Sequence, residues 1–189
     1  AERAAAFSHG LSEIIPCTEY DAENVHTPLA SSAALSEGFR VDPDRAEHRA
    51  VLETLSCIAR EVVLYLGKGR VEINYDRYLH TDIVAIAAGV PNEAFVKLVW
   101  AVVDRAKRKG LQLKPAWGAQ MTLARLTDAV PADELSDLYR FMEVAPVPGV
   151  SVPTHVNVGY NVWWWNADDP NATHGGHFVP YRSIPFGGR

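Results

Sequence analysis

The sequence predicts a mainly α-helical fold, an irregular bundle of about five to seven helices with an extended or β-hairpin C-terminal arm. Three observations predict it. Val51, Leu55, Ile58 and Val62 recur at helical spacing, and so do Phe95, Leu98, Val99, Val102 and Ala106. Beyond a cluster of Pro146, Pro148, Gly149 and Pro153 the pattern changes, and residues 154–165 alternate in the manner of a strand. The expected organisation is a helical region over residues 1–145 and a tryptophan- and histidine-rich arm over residues 146–189, within one domain.

Taken in order, residues 2–15 have helical composition and stop at Pro16, and an acidic loop follows. Thr27 and Pro28 read as an N-cap and first-turn pair opening a second short helix that Gly38 closes. Asp42 and Pro43 start the long helix of residues 44–66, whose apolar stripe is expected to anchor the core and to include Cys57. The alternation Val71, Ile73, Tyr75 suggests a short strand, and residues 76–88 read as helix again, broken by Gly89 and Pro91. Asn92 caps the next helix, which Trp100 and Val103 make apolar nearly all round; such a helix belongs at the centre of a bundle. Residues 116–129 and 132–144 read as two further helices separated by Pro131. In the arm, residues 166–176 are rich in turn formers, and residues 177–184 return as a second strand.

Composition removes several classes of function. At 189 residues with 48% hydrophobic content, the chain can bury a real core without disulfides or metal. A formal net charge of −5 leaves no broad basic footprint for nucleic acid, and no apolar run is long enough to span a bilayer. Cys17 and Cys57 stand alone at a spacing that fits no zinc knuckle, while leaving open one disulfide. The alanine-rich start suits a chain trimmed of a leader, as in an organelle or periplasm.

The candidate chemistry lies in the arm. His155, His174 and His177 combine imidazoles that suit a transition metal or haem, and Trp163 and Trp165 would wall the pocket of such a cofactor. Glu19, Asp21, Glu23 and His26 form a second, acidic cluster, without the ligand pattern of a calcium loop. Residues 84–99 imitate a helix-turn-helix whose second helix lacks base-reading side chains, which argues against DNA binding. Two functional expectations follow. The first is a helical subunit or interaction module that docks its aromatic arm on a protein partner or a second copy of itself. The second is a small metal- or haem-dependent enzyme built on the three histidines.

Overall fold

A computed structural model of the chain describes residues 1–32, 41–66, 69–116, 118–165 and 173–186, with side chains of 163–165 and 173–176 outside that description. Four helices and nine strands are present among the described residues: α1 (Glu2–Ser12), β1 (Cys17–Glu19), β2 (Ala30–Ser32), α2 (Ala46–Leu66), β3 (Ile73–His80), β4 (Val84–Pro91), α3 (Glu93–Arg108), β5 (Leu113–Pro115), β6 (Ala119–Leu126), α4 (Leu135–Val144), β7 (Gly149–Ser151), β8 (His155–Trp165) and β9 (Thr173–Pro185). The fold is therefore mixed α and β. The expectation of a mainly α-helical bundle is overturned by an antiparallel sheet system that includes a curled half-barrel.

The central sheet has the strand order β1-β6-β4-β3-β7, and every pairing in it is antiparallel. Residues 76–88, expected as helix, instead form most of a hairpin. Thr81 makes its turn: its N–H donates to the Val84 carbonyl at 2.8 Å, and its Oγ1 accepts the Ile83 and Val84 N–H groups, each at 3.2 Å. The misreading has a physical source. A register shift between Tyr75 and Arg77 inserts Asp76 as an extra residue, so the buried positions run Ile73, Tyr75, Tyr78, and the last step of three imitates a helix. Residues 119–126 repeat the deception, since the ladder shifts opposite Leu123 and buries Met121, Leu123, Ala124 and Leu126 in succession. Bulges of this kind increase local twist, which suits a sheet that curls.

The helices lie against one face of this sheet. On α1, Ala4, Phe7, Ser8 and Leu11 form a buried stripe, and the Phe7 ring stacks on Tyr78 with centroids 3.8 Å apart. Ser8 is wholly buried; its Oγ donates to the Leu123 carbonyl at 2.6 Å and accepts the Tyr20 N–H at 2.8 Å, tying helix to sheet. The α2 helix buries Leu52, Ile58, Ala59, Val62 and Val63, whereas Cys57 is exposed and does not belong to the stripe. Neither Cys17 nor Cys57 is paired. Asn92 caps α3 by accepting the Phe95 N–H at 3.1 Å, and the basic end of that helix meets α2 through Arg105 and Lys109 at 3.9 and 3.5 Å from Glu61. The central position expected for α3 is corrected: Trp100 is 59% exposed, and only the Phe95, Leu98, Val99, Val102 and Ala106 side faces the core. A helix laid on a sheet needs one buried stripe and tolerates apolar groups outside it.

Residues 30–32, expected as the start of a short helix, pair with β5 as a separate two-stranded ribbon. Much of the remainder of that expected helix lies outside the described residues. The helix-turn-helix pattern at residues 84–99 is the end of one strand followed by α3. In the terminal hairpin β8 pairs with β9, and Val156, Val158 and Ile184 join the same buried cluster as the helices and the central sheet.

Candidate functional site

The inner face of β4 carries only small side chains, Ala85, Ala87 and Gly89, which cannot reach the helices above them. Tyr75 crosses this gap. Its position opposite Gly89 depends on the missing side chain there, because a Cβ would come within 2.9 Å of Tyr75 Cδ1 and 2.7 Å of Ile73 Cγ2. Tyr75 is 1% exposed, and its hydroxyl is hydrogen-bonded to Thr27 in the loop between β1 and β2. Burial pushes the Tyr75 phenol above its ordinary value, so it stays protonated.

Between this sheet face, α2, α3 and the terminal hairpin lies a cavity of about 750 Å³. Leu55 and Ala59 of α2, Phe95 and Leu98 of α3, and Met121 of β6 form its apolar wall. His26, Thr27, Asn157, Asn161 and Ser183 bring polar atoms to its rim. No Asp, Glu, Lys or Arg occurs among the described lining residues.

Interlocking contacts fix His26 in that rim. Its Nδ1 donates to the Asn24 carbonyl at 2.7 Å, while the Asn24 side chain accepts the backbone N–H of Phe178 at 2.9 Å. The imidazole also lies against the Phe178 ring, with centroids 4.8 Å apart. Phe178 in turn occupies the space over Gly159, where a Cβ would stand 2.6 Å from its Cζ and 2.2 Å from the Val179 carbonyl oxygen. Burial lowers the His26 pKa from its ordinary 6.5, against a smaller opposing effect of the Asn24 hydrogen bond. The ring is therefore neutral at pH 7.

The residues singled out from the sequence are placed differently. His155 pairs with Pro185 at the foot of the hairpin, and His177 pairs with Val162 seven positions further along. That is roughly 23 Å at the rise of a strand, too far for one ion to bind both. His155 lines the cavity and hydrogen-bonds Thr154 Oγ1 at 2.9 Å through Nδ1. The side chains of His174, Trp163 and Trp165 lie outside the described residues. Among the described residues no group of three or more His, Cys, Asp or Glu could hold a metal ion, which corrects the expectation of metal binding. The acidic cluster at residues 19–26 is turn chemistry: Asp21 Oδ1 accepts the Glu23 and Asn24 N–H groups at 3.1 and 2.8 Å, and Glu19 hydrogen-bonds Ser12 and His9. No described helix is long and apolar enough to cross a membrane.

Fold and site together define a mixed α/β domain with an apolar cavity between a curled sheet and its helical layer. No protein-family model matches the chain, and no curated protein matches it.

Proposed function

We propose that the chain is a binding domain for an uncharged, mainly apolar small molecule held in this cavity. One observation carries the reading: a space of about 750 Å³ whose described walls offer apolar surface and neutral polar groups but no charged side chain. Ligand pockets commonly enclose about 300–1,000 Å³ and combine apolar walls with a few convergent polar groups. Ordinary packing defects are far smaller, since protein interiors leave few voids larger than a water molecule. Among the described lining residues no side chain is that of Asp, Glu, Lys or Arg, so a charged ligand would lose its hydration without an ionic partner from such a side chain, which counts against charged substrates. Titration with the neutral fluorophore N-phenyl-1-naphthylamine tests the reading. Saturable binding at one site per chain, displaced by neutral long-chain alcohols but not by the matching fatty acids, supports it; the absence of saturable binding overturns it.

A second reading keeps the terminal hairpin as a docking element for another copy of the chain. It is supported by Asn161 and Val162, which are exposed and directly precede the three tryptophans of β8. Deleting the arm cannot test this, because Val156, Val158 and Ile184 are core residues. Val162→Lys leaves that core intact. A concentration-dependent dimer in light scattering that this substitution dissolves supports docking, and a wild-type chain monomeric at every concentration removes it.

A further inference from the structure

The rim of the cavity specifies the ligand's polar group, an inference that rests on reading the cavity as a small-molecule site. A backbone carbonyl only accepts hydrogen bonds, so the 2.7 Å contact between His26 Nδ1 and the Asn24 carbonyl places a proton on Nδ1. In the neutral ring Nε2 then carries a lone pair. No hydrogen-bond partner meets that atom among the described residues: the other recorded contact of the ring is its face against Phe178. Asn24 is doubly committed, since its carbonyl holds the ring and its side chain holds the Phe178 N–H. Turning the imidazole to use Nε2 elsewhere would break its bond to the Asn24 carbonyl. Thr27 and Tyr75 hydrogen-bond each other, which engages one of their two hydroxyl protons. Nε2 is thus an acceptor on a residue that lines the cavity, with no donor to it among the described residues.

We infer that the bound molecule is a neutral alcohol or phenol whose hydroxyl donates to His26 Nε2. Other common donors fit less well. An aliphatic amine is cationic at neutral pH and meets no carboxylate among the described lining residues, and a carboxylic acid is anionic and meets no Lys or Arg. A hydroxyl brings a donor without charge, and the remaining body of the molecule is left to the apolar wall formed by Leu55, Ala59, Leu98 and Met121.

Two matched probes test this, 4-octylphenol and its methyl ether 4-octylanisole, which differ in the donor. Their dissociation constants are measured by displacement of N-phenyl-1-naphthylamine from the wild type and from His26→Phe. A buried polar atom left without its partner typically lowers affinity by roughly tenfold or more. The preference for the phenol over the ether should accordingly fall about tenfold in His26→Phe, with the ether's own affinity little changed. An equal preference in both proteins overturns the inference and leaves the cavity reading standing. Failure of the wild type to bind either probe overturns both. Should His26→Phe not fold, ¹⁵N NMR of the wild type decides. The His26 Nε2 resonance should report an unprotonated nitrogen in the free protein and move with the phenol but not with the ether; a proton on Nε2 in the free protein refutes the assignment.

Discussion

Ala59→Leu asks whether the space between α2 and the sheet is real. Ala59 is 4% exposed on the buried stripe of α2, and it lines the cavity. Leucine is nearly as good a helix former as alanine, so the substitution leaves the helix itself almost unaffected. If the side chain projects into open space, its three added carbons gain about 0.8 kcal/mol each on leaving water. Fixing the leucine rotamer takes back roughly 0.5–1 kcal/mol. The net gain is about 1.5 kcal/mol. For a domain of this size each kcal/mol moves the midpoint by roughly 2–4 °C, so Tm should rise by about 3–6 °C. Calorimetry measures it directly, and the same variant should bind N-phenyl-1-naphthylamine more weakly because part of the cavity is filled. A closed core gives the opposite sign, since inserting methylenes into well-packed surroundings costs about 1–3 kcal/mol. A Tm lowered by several degrees, with the midpoint of urea unfolding moving the same way, would refute the cavity and the function built on it.

Three further perturbations bear on how the site is held. Ser8→Ala removes both bonds of a wholly buried hydroxyl and leaves the Tyr20 N–H without its acceptor; urea unfolding should show a loss of about 2 kcal/mol, and a loss below about 0.5 kcal/mol would mean that α1 is not tied to the sheet this way. Gly89→Ala places a Cβ against Ile73 and Tyr75 and should cost about 1–3 kcal/mol while shifting Tyr75 from Thr27; a neutral effect on stability and on the tyrosine absorption spectrum would contradict the close approach. His26 titrates lower in the folded chain than in the unfolded chain, so its contribution to stability is complete above about pH 6.5 and is lost as the pH falls below that value, because the unfolded state then binds the additional proton. The stability of the wild type relative to His26→Phe should therefore fall between pH 7.5 and 5; parallel curves would show that the imidazole is not buried in its neutral form.

How much of this was legible in the sequence depended on whether a local period survived in three dimensions. The stripes of α1, α2 and α3 are one-sided at helical spacing, and the Asn92 cap sits where its residue type indicates. The alternation of residues 154–165 corresponds to β8. The central sheet was hidden because β3 and β6 are bulged: the extra residue at Asp76 and the shift opposite Leu123 convert a period of two into steps of two and three. β4 was hidden for another reason, since Val-Ala-Ile-Ala-Ala-Gly-Val is rich in alanine, a residue whose local preference is helical. That preference yields to pairing on both edges, with β3 and β6. The candidate site was the least legible part. Residues of at least four separate elements converge on it, and the His26 imidazole is oriented by a carbonyl two residues away and by a ring 152 positions later in the chain. In the sequence His26 stands out as a member of an acidic cluster, and Thr27 as a helix cap.

The cavity follows from which side chains the two layers place against each other at the end nearest the terminal hairpin. A helical layer is held off a sheet by the largest side chains between them, and here those are Tyr75 and Met121 from the sheet with Phe95 and Leu98 from α3. Where the sheet presents Ala85, Ala87, Ala119 and Ala124 instead, only a bulky residue from the opposing layer can fill the gap. At one end of the sheet α1 supplies Phe7, which stacks on Tyr78. At the end nearest the terminal hairpin, α2 supplies Leu55 and Ala59, which are too short to do the same, and the hairpin contributes Asn157, Gly159 and Ser183 to the boundary. Short side chains from α2 and the hairpin, beside the larger ones of the sheet and α3 that hold the layers apart, leave a space that the described side chains do not fill. Such a void lacks the dispersion contacts of a packed core, and a molecule that enters restores them; affinity is expected to follow the apolar volume supplied before it follows any polar contact.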